Sequence, residues 1–309
     1  MLCSKFLFPV PYYDMKFSSE PLDLSDNTFV ILRDLIHERT GLFYSVSKQT
    51  ILADKLSIRV RERGLDSFLD YYYLLKYDQS AREEWQELIN ALTVQETYFW
   101  REYDQIKVLV EVLLPQYLER FYKFSYPCQP LRIWSAACST GEEPLTIAMA
   151  LNEAGWFERI PIEIWASDAS SRAINKAVSG IYRQYSFRGF PESLKAKYFS
   201  VHEQGWRISP LIHNRVHWSV NNLLVESDIQ YLAQAHFVFC RNVFIYFSDA
   251  SISKTVNFFY QRMFSPGYLF LSASESLLKL KTNFQLEEID GAFIYTKNQS
   301  KSLFSEKKY

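Results

Sequence analysis

RIWSAACSTGEEPLTIAMA, residues 132–150, decides how the rest of the chain is read. Ile133, Trp134, Ala136 and Ala137 form the apolar run of a buried strand. Ser139, Thr140 and Gly141 break it with small, turn-forming residues. Glu142, Glu143 and Pro144 then open a helix: proline suits the first turn, and acidic side chains are favoured at the positive end of the dipole. Thr140 followed by Glu143 matches a capping box. Leu145, Ala148 and Met149 continue at helical spacing. A strand, a tight loop and a helix N-terminus make the first half of a nucleotide-type cofactor site.

Residues 162–168, IEIWASD, read as the next strand, ending in Asp168. In dinucleotide-binding sheets an acidic residue roughly 20 positions past the glycine loop accepts hydrogen bonds from ribose hydroxyls. Asp168 lies slightly farther on. The loop carries a single glycine, where pyrophosphate binders need three. Side chains on that loop leave less room for phosphates. A nucleoside cofactor without phosphates is therefore expected, and S-adenosylmethionine fits. A nicotinamide oxidoreductase ranks last.

Downstream, a helix is expected from Ser170 to Ser179, ending at Gly180. The stretch 181–216 reads as a small antiparallel insertion. Strands follow at 216–220, 235–240 and 267–272, with a helix over 251–263. FQLEEIDGAFIYTK closes as a hairpin turning at Asp290-Gly291. Upstream, Ser25 or Asp26 caps a helix with Phe29, Leu32, Leu35 and Ile36 on one face, ended by Gly41. Further helices are expected at 47–62, 67–76 and 81–92, then a linking helix from Arg101 to Phe121. The chain thus divides into a leader (1–25), a helical domain (26–100), a linking helix and linker (101–130), a sheet domain (131–298) and a polar tail (299–309).

The formal net charge of -1 gives no pull toward nucleic acid. No run of about 18 apolar residues is present, so no membrane insertion is expected. Cys3, Cys128, Cys138 and Cys240 match no zinc spacing and read as reduced thiols of a cytoplasmic protein. The histidines form no HxxxH pair, and no metal is expected. Lys55, Arg59 and Arg63, with Arg61 nearby, share a face of the second helix. They read either as a solvated face or as a dock for an acidic helical bundle.

RIWSAACSTGEEP, IWASD, VSGIYR, VNNLL and FVFCRNVFIYF occur in this order, and INALTVQETYFWRE precedes them. The chain resembles the chemoreceptor glutamate O-methyltransferases, the CheR family, from about Phe29 to Lys297. The resemblance implies an α/β fold: a seven-stranded Rossmann-like class I methyltransferase sheet with a small antiparallel insertion, behind an all-helical N-terminal domain. It implies S-adenosylmethionine as cofactor and S-adenosylhomocysteine as product. The cytoplasmic helical bundle of a methyl-accepting chemoreceptor is the implied partner, met by the basic helix. A monomer is expected.

By the same resemblance Glu143 contacts the methionine ammonium, Asp168 the ribose, and Asn222 and Leu223 flank the adenine. Gly141 lets the backbone approach the cofactor, and Arg241 and Asn242 end the fourth strand where open sheets place ligands. Gln95, Thr97 and Arg101, from the helical segment before the sheet, form a lid. Arg101 would hold the methyl-accepting carboxylate by two parallel hydrogen bonds, with Tyr246 on the other side. The family's insertion grips a receptor tail peptide in some members. The single glycine of HEQGW and the stretch YSFRGFP resemble members that need no tail. Trp100 stands where Phe is commoner, Gln95 where some members carry Asn, and LSASES (271–276) lacks a usual glycine. Two alternatives remain open: a non-catalytic S-adenosylmethionine-binding signalling module, and a methyltransferase with another carboxylate acceptor.

Overall fold

A computed structural model describes residues 22–79, 81–120 and 129–298. The leader up to residue 21, most of the linker with Cys128, and the tail from 299 lie outside the described residues, as does Cys3.

Helices α1 (Asp26–Thr40), α2 (Gln49–Glu62), α3 (Phe68–Tyr77) and α4 (Ala81–Leu92) form the N-terminal domain. The Ser25 hydroxyl caps α1 by accepting from Thr28 N–H. Gly41 ends it in the left-handed region, its N–H on the His37 carbonyl at 2.9 Å. Leu32 and Ile36 of α1, Leu52, Leu56 and Val60 of α2, Tyr71 of α3 and Leu88 of α4 fuse into one solvent-free core. Each such side chain contributes about 1.5–3 kcal/mol.

The linking helix departs from its expected form. It starts at Tyr103, two residues late, as α5 (Tyr103–Val108). A π turn over Leu109–Leu113 then leads into α6 (Leu114–Arg120). Pro115 gives the reason for the turn: its ring has no N–H for the carbonyl of Glu111 and crowds it. The late start has another cause. Phe99 is fully buried among Tyr182, Phe187, Phe190 and Phe199, which pulls the preceding backbone out of helical register. Trp100 and Glu102, on either side of Arg101, take positive φ values of 67° and 48°. Trp100 stacks on Tyr103 with centroids 4.1 Å apart.

The sheet domain runs β1 (Leu131–Ala136), α7 (Glu142–Glu153), β2 (Ile162–Asp168) and α8 (Ser171–Ser179). The insertion holds β3 (Ile181–Tyr182), α9 (Glu192–Tyr198), β4 (Phe199–His202) and β5 (Gly205–Ile208). Then come α10 (Pro210–His213), β6 (Val216–Val220), α11 (Glu226–Ile229), β7 (Phe237–Phe239), α12 (Asp249–Arg262), β8 (Gly267–Phe270), β9 (Gln285–Ile289) and β10 (Ala292–Lys297). The seven-stranded sheet has the order β6-β2-β1-β7-β8-β10-β9. Every pairing is parallel except those of β10 with β8 and β9. The hairpin turns at Asp290 and Gly291, both at positive φ, as a two-residue turn requires. Strand order reverses beside β1, so the carboxyl ends of β1, β2, β6 and β7 open on one crevice.

The insertion is a separate three-stranded antiparallel sheet, β3-β5-β4. A Cβ on Gly205 would come within 2.2 Å of the Tyr182 carbonyl oxygen. That glycine therefore serves the close approach of β3 and β5. No helix among the described residues is long and apolar enough to cross a membrane.

Candidate active site

A cavity of about 290 Å³ lies between the helical domain and the carboxyl ends of the strands. Gln95, Thr97, Arg101, Glu143, Asp168, Asn222, Leu223, Arg241, Asn242 and Tyr246 all line it. The helical domain adds Tyr44, Lys48 and Lys55. Side chains from distant parts of the sequence thus meet in one enclosure.

Asp168 ends β2 with its carboxylate fixed by backbone amides. Oδ2 accepts from Ser139 N–H at 2.9 Å and Oδ1 from Ser170 N–H at 2.8 Å. Burial pushes its pKa up, and these amides pull it back. Glu143 sits on the first turn of α7, its Oε1 accepting from the Ser135 hydroxyl at 2.5 Å. Its Oε2 lies 3.5 Å from Nε of Arg241. Burial raises the Glu143 pKa, and Arg241 opposes the shift.

Arg241, at the end of β7, has a side chain only 2 % exposed. Nη2 donates to the Arg101 carbonyl at 2.5 Å and lies 3.7 Å from Glu102 Oε2. Nε and Nη1 are buried without a hydrogen-bond partner. Ser139 Oγ and Asn221 Oδ1 are buried and unpartnered as well, and both residues line the same cavity. Buried polar atoms normally find partners. A ligand carrying hydroxyls, an ammonium and a carboxylate would supply them, and S-adenosylmethionine is such a ligand.

Several expected features take a different form. Gly141 is not among the lining residues. At φ 96° it is the N-cap of α7, and a Cβ there would meet Trp218 at 2.8 Å and Ala177 at 2.9 Å. Its task is to seat α7 against β6 and α8. The capping box is absent too: the Thr140 hydroxyl donates to the Glu142 carboxylate at 2.7 Å, one residue early. Gln95 and Thr97 lie on an irregular segment outside any helix, because α4 stops at Leu92. Asn222 lines the cavity but spends its amide elsewhere, Nδ2 on the Arg39 carbonyl at 2.7 Å and Oδ1 on Leu224 N–H at 3.0 Å.

The basic row of α2 is corrected most. Lys55 turns into the cavity wall and donates to the Leu92 carbonyl at 2.7 Å. Burial lowers its pKa. Arg59 grips the buried carboxylate of Glu84 with two bonds, of 2.9 and 2.6 Å. Arg63 lies 3.6 Å from the same carboxylate. Neutralising Glu84 turns this row inward.

Residues 95–293 match the family model described as CheR methyltransferase, SAM binding domain, and residues 27–93 match CheR methyltransferase, all-alpha domain. The chain belongs to the CheR methyltransferase family. Chemotaxis protein methyltransferase 2 of Vibrio cholerae is 36% identical over 267 residues, 85% of this chain and 90% of that protein. The chemotaxis protein methyltransferase of Salmonella typhimurium is 32% identical over 290 residues, 92% and 94% of the two chains. That of Escherichia coli K12 is 32% identical over 274 residues, 87% and 91%. The cofactor of this CheR-family methyltransferase is S-adenosylmethionine.

Three further residues that brace the cavity wall escape a reading by motif. Glu275, inside the LSASES stretch, accepts from Asn242 N–H at 2.8 Å, Phe244 N–H at 2.7 Å and Ser272 N–H at 3.0 Å. It shapes the turn that carries Asn242, whose φ is 61°. Its signal was a lone acidic residue among serines just past a strand end. Asn90 on α4 accepts from the Ser170 hydroxyl at 2.8 Å and Arg172 N–H at 3.2 Å, tying the helical domain to the turn after Asp168. Gln86 donates to the Ala169 carbonyl at 2.9 Å beside it.

Proposed function

We propose that this chain methylates glutamate side chains on the cytoplasmic helical bundle of a chemoreceptor, without needing a receptor tail peptide. One observation carries the reading. Arg101 and Tyr246 line the same cavity as the part-buried carboxylates Asp168 and Glu143 and Arg241, whose Nε and Nη1 have no hydrogen bond. An acceptor-holding guanidinium and a cofactor cradle thus share one enclosure. The names of the relatives, chemotaxis protein methyltransferases, support the same substrate class. The packing role of Gly205 supports independence from a tail, since it leaves that glycine no duty toward a peptide.

When bound, S-adenosylmethionine supplies a methyl group on a cationic sulfur. Asp168 would accept from ribose hydroxyls, Glu143 would pair with the ammonium, and Arg241 would meet the cofactor carboxylate with Nε and Nη1. Leu223 would pack against the adenine. Arg101 would hold the acceptor carboxylate from the cavity mouth. That carboxylate is ionised at neutral pH, so no general base is needed. What the residues supply is position and exclusion of water. Arginine offers a planar fork, and lysine only a point charge. Arg101→Lys should retain cofactor affinity and lose roughly tenfold or more in methyl transfer, as loss of about 1.4 kcal/mol of orientation would give. Labelled methyl transfer to a receptor fragment, with base-labile release, measures this. Native-rate transfer by that variant would remove Arg101 from the role.

A further inference from the structure

Arg101 enters the cavity from a segment that the insertion grips. Glu96 lies on that segment, and its Oε1 accepts from Arg188 Nη2 at 3.0 Å and from the Tyr185 hydroxyl at 3.0 Å. The Arg188 guanidinium covers the Tyr98 ring at 3.9 Å and the Tyr185 ring at 4.3 Å. Below this cluster Phe99 N–H donates to the Ser186 carbonyl at 2.9 Å, and the Phe99 ring packs on Phe187 at 5.3 Å. Arg101 uses the same two residues from the other end. Its Nη1 donates to the Glu96 carbonyl at 3.0 Å, and its guanidinium lies 5.6 Å from the Tyr98 ring centre. Glu96 and Tyr98 are therefore shared between an arginine of the insertion and the arginine at the acceptor end of the cavity.

We infer that Arg188 is a positioning residue for Arg101, and that the insertion acts on methyl transfer by fixing the plane of the Arg101 guanidinium. This rests on the reading of Arg101 as the holder of the acceptor. A long side chain presents a useful fork only when its plane is set. Here a carbonyl and an aromatic ring set it, and both belong to residues that Arg188 anchors. A small displacement of a group that orients a nucleophile is costly in rate. The Arg188–Glu96 pair is exposed, with side chains 39% and 59% accessible, so it adds little to folding stability. Its loss should be read in turnover while the fold stands. The inference gives the insertion a task inside the catalytic unit that requires no peptide bound to it.

The test compares Arg188→Met, Arg101→Lys and the double variant in single-turnover methyl transfer to the cytoplasmic fragment of a methyl-accepting chemoreceptor. Cofactor affinity is measured alongside by calorimetry. Arg188→Met is expected to transfer about fivefold more slowly with cofactor affinity within about twofold of native. In the Arg101→Lys background the same change should cost less than about twofold, because its effect passes through Arg101. A merely structural role would multiply the two losses. Full multiplication in the double variant overturns the inference. So does a native rate in Arg188→Met beside a slow Arg101→Lys, which leaves the acceptor reading intact. A native rate in Arg101→Lys alone overturns the acceptor reading and this inference with it.

Discussion

Two arginines, part-buried Arg59 in the helical domain and buried Arg241 at the end of β7, face carboxylates with opposite outcomes. Arg59 is closed. Both Glu84 oxygens are bonded to it, the Tyr71 hydroxyl adds a bond of 2.6 Å to Oε1, and Glu62 takes a further guanidinium nitrogen. The pairing raises the Arg59 pKa, led by the hydrogen bond to Glu84. Arg241 is open. It has carboxylates on both sides, Glu143 at 3.5 Å and Glu102 at 3.7 Å, yet two of its nitrogens have no hydrogen bond. The first arrangement is a finished piece of scaffold. The second leaves two guanidinium nitrogens of a cavity wall without hydrogen bonds. A nearby carboxylate does not separate them; satisfaction does.

The largest expected effect falls on the closed arginine. Arg59→Met leaves the Glu84 carboxylate buried with its main partner gone, and unfolding stability should drop by about 3 kcal/mol. Urea denaturation measures it. A loss below about 1 kcal/mol would mean that Arg63 replaces Arg59, and the contrast would shrink. The folded fraction should still bind S-adenosylmethionine as the native protein does.

A smaller and different effect is expected at the open arginine. Arg241→Met should lower cofactor affinity by about 2 kcal/mol, near thirtyfold, through lost charge-assisted bonds. Calorimetry on the folded variant checks this. Unchanged affinity would make Arg241 a clamp for the Arg101 carbonyl alone.

The smallest effect concerns protons. Asp168 and Glu143 both have folded pKa values raised chiefly by burial. The native state then holds extra protons between the ordinary carboxylate value, about 4, and the raised one. Stability from that protonation is present at the acid end of the window and is lost as pH rises through the folded value. In the proposed roles, the ionised forms are the ones that would accept ribose hydroxyls and pair with an ammonium. As pH falls from neutrality toward the ordinary carboxylate range, cofactor affinity should therefore fall, while these two groups make the ligand-free fold more stable. Titration calorimetry and thermal unfolding across that range measure the two trends. Parallel trends would break the assignment of both carboxylates to the cofactor.

Much of this molecule was legible along the chain. The strand, loop and helix of 131–153, the acidic end of β2 at Asp168 and the Asp290-Gly291 hairpin follow from periodicity and turn chemistry. So does α4, at its expected bounds of Ala81 and Leu92. These signals survive because each is written within one or two turns of backbone. The linking helix was legible only in part, since the capture of Phe99 by rings from the insertion is a contact across the fold.

The sequence by itself determined the sheet, the cradle loop and which residue types gather near it. The tertiary structure alone decided which cations are fully paired and which keep nitrogens without hydrogen bonds. Lys55, Arg59 and Arg63 read as one basic face, and the fold turns them onto Leu92 and Glu84. Arg59 and Glu84 are 25 positions apart, and Arg241 and the carbonyl it holds at Arg101 are 140 apart. Local pattern fixes the side of a helix on which a charge lies. It does not fix the partner, because that partner arrives only when distant elements pack and water is removed.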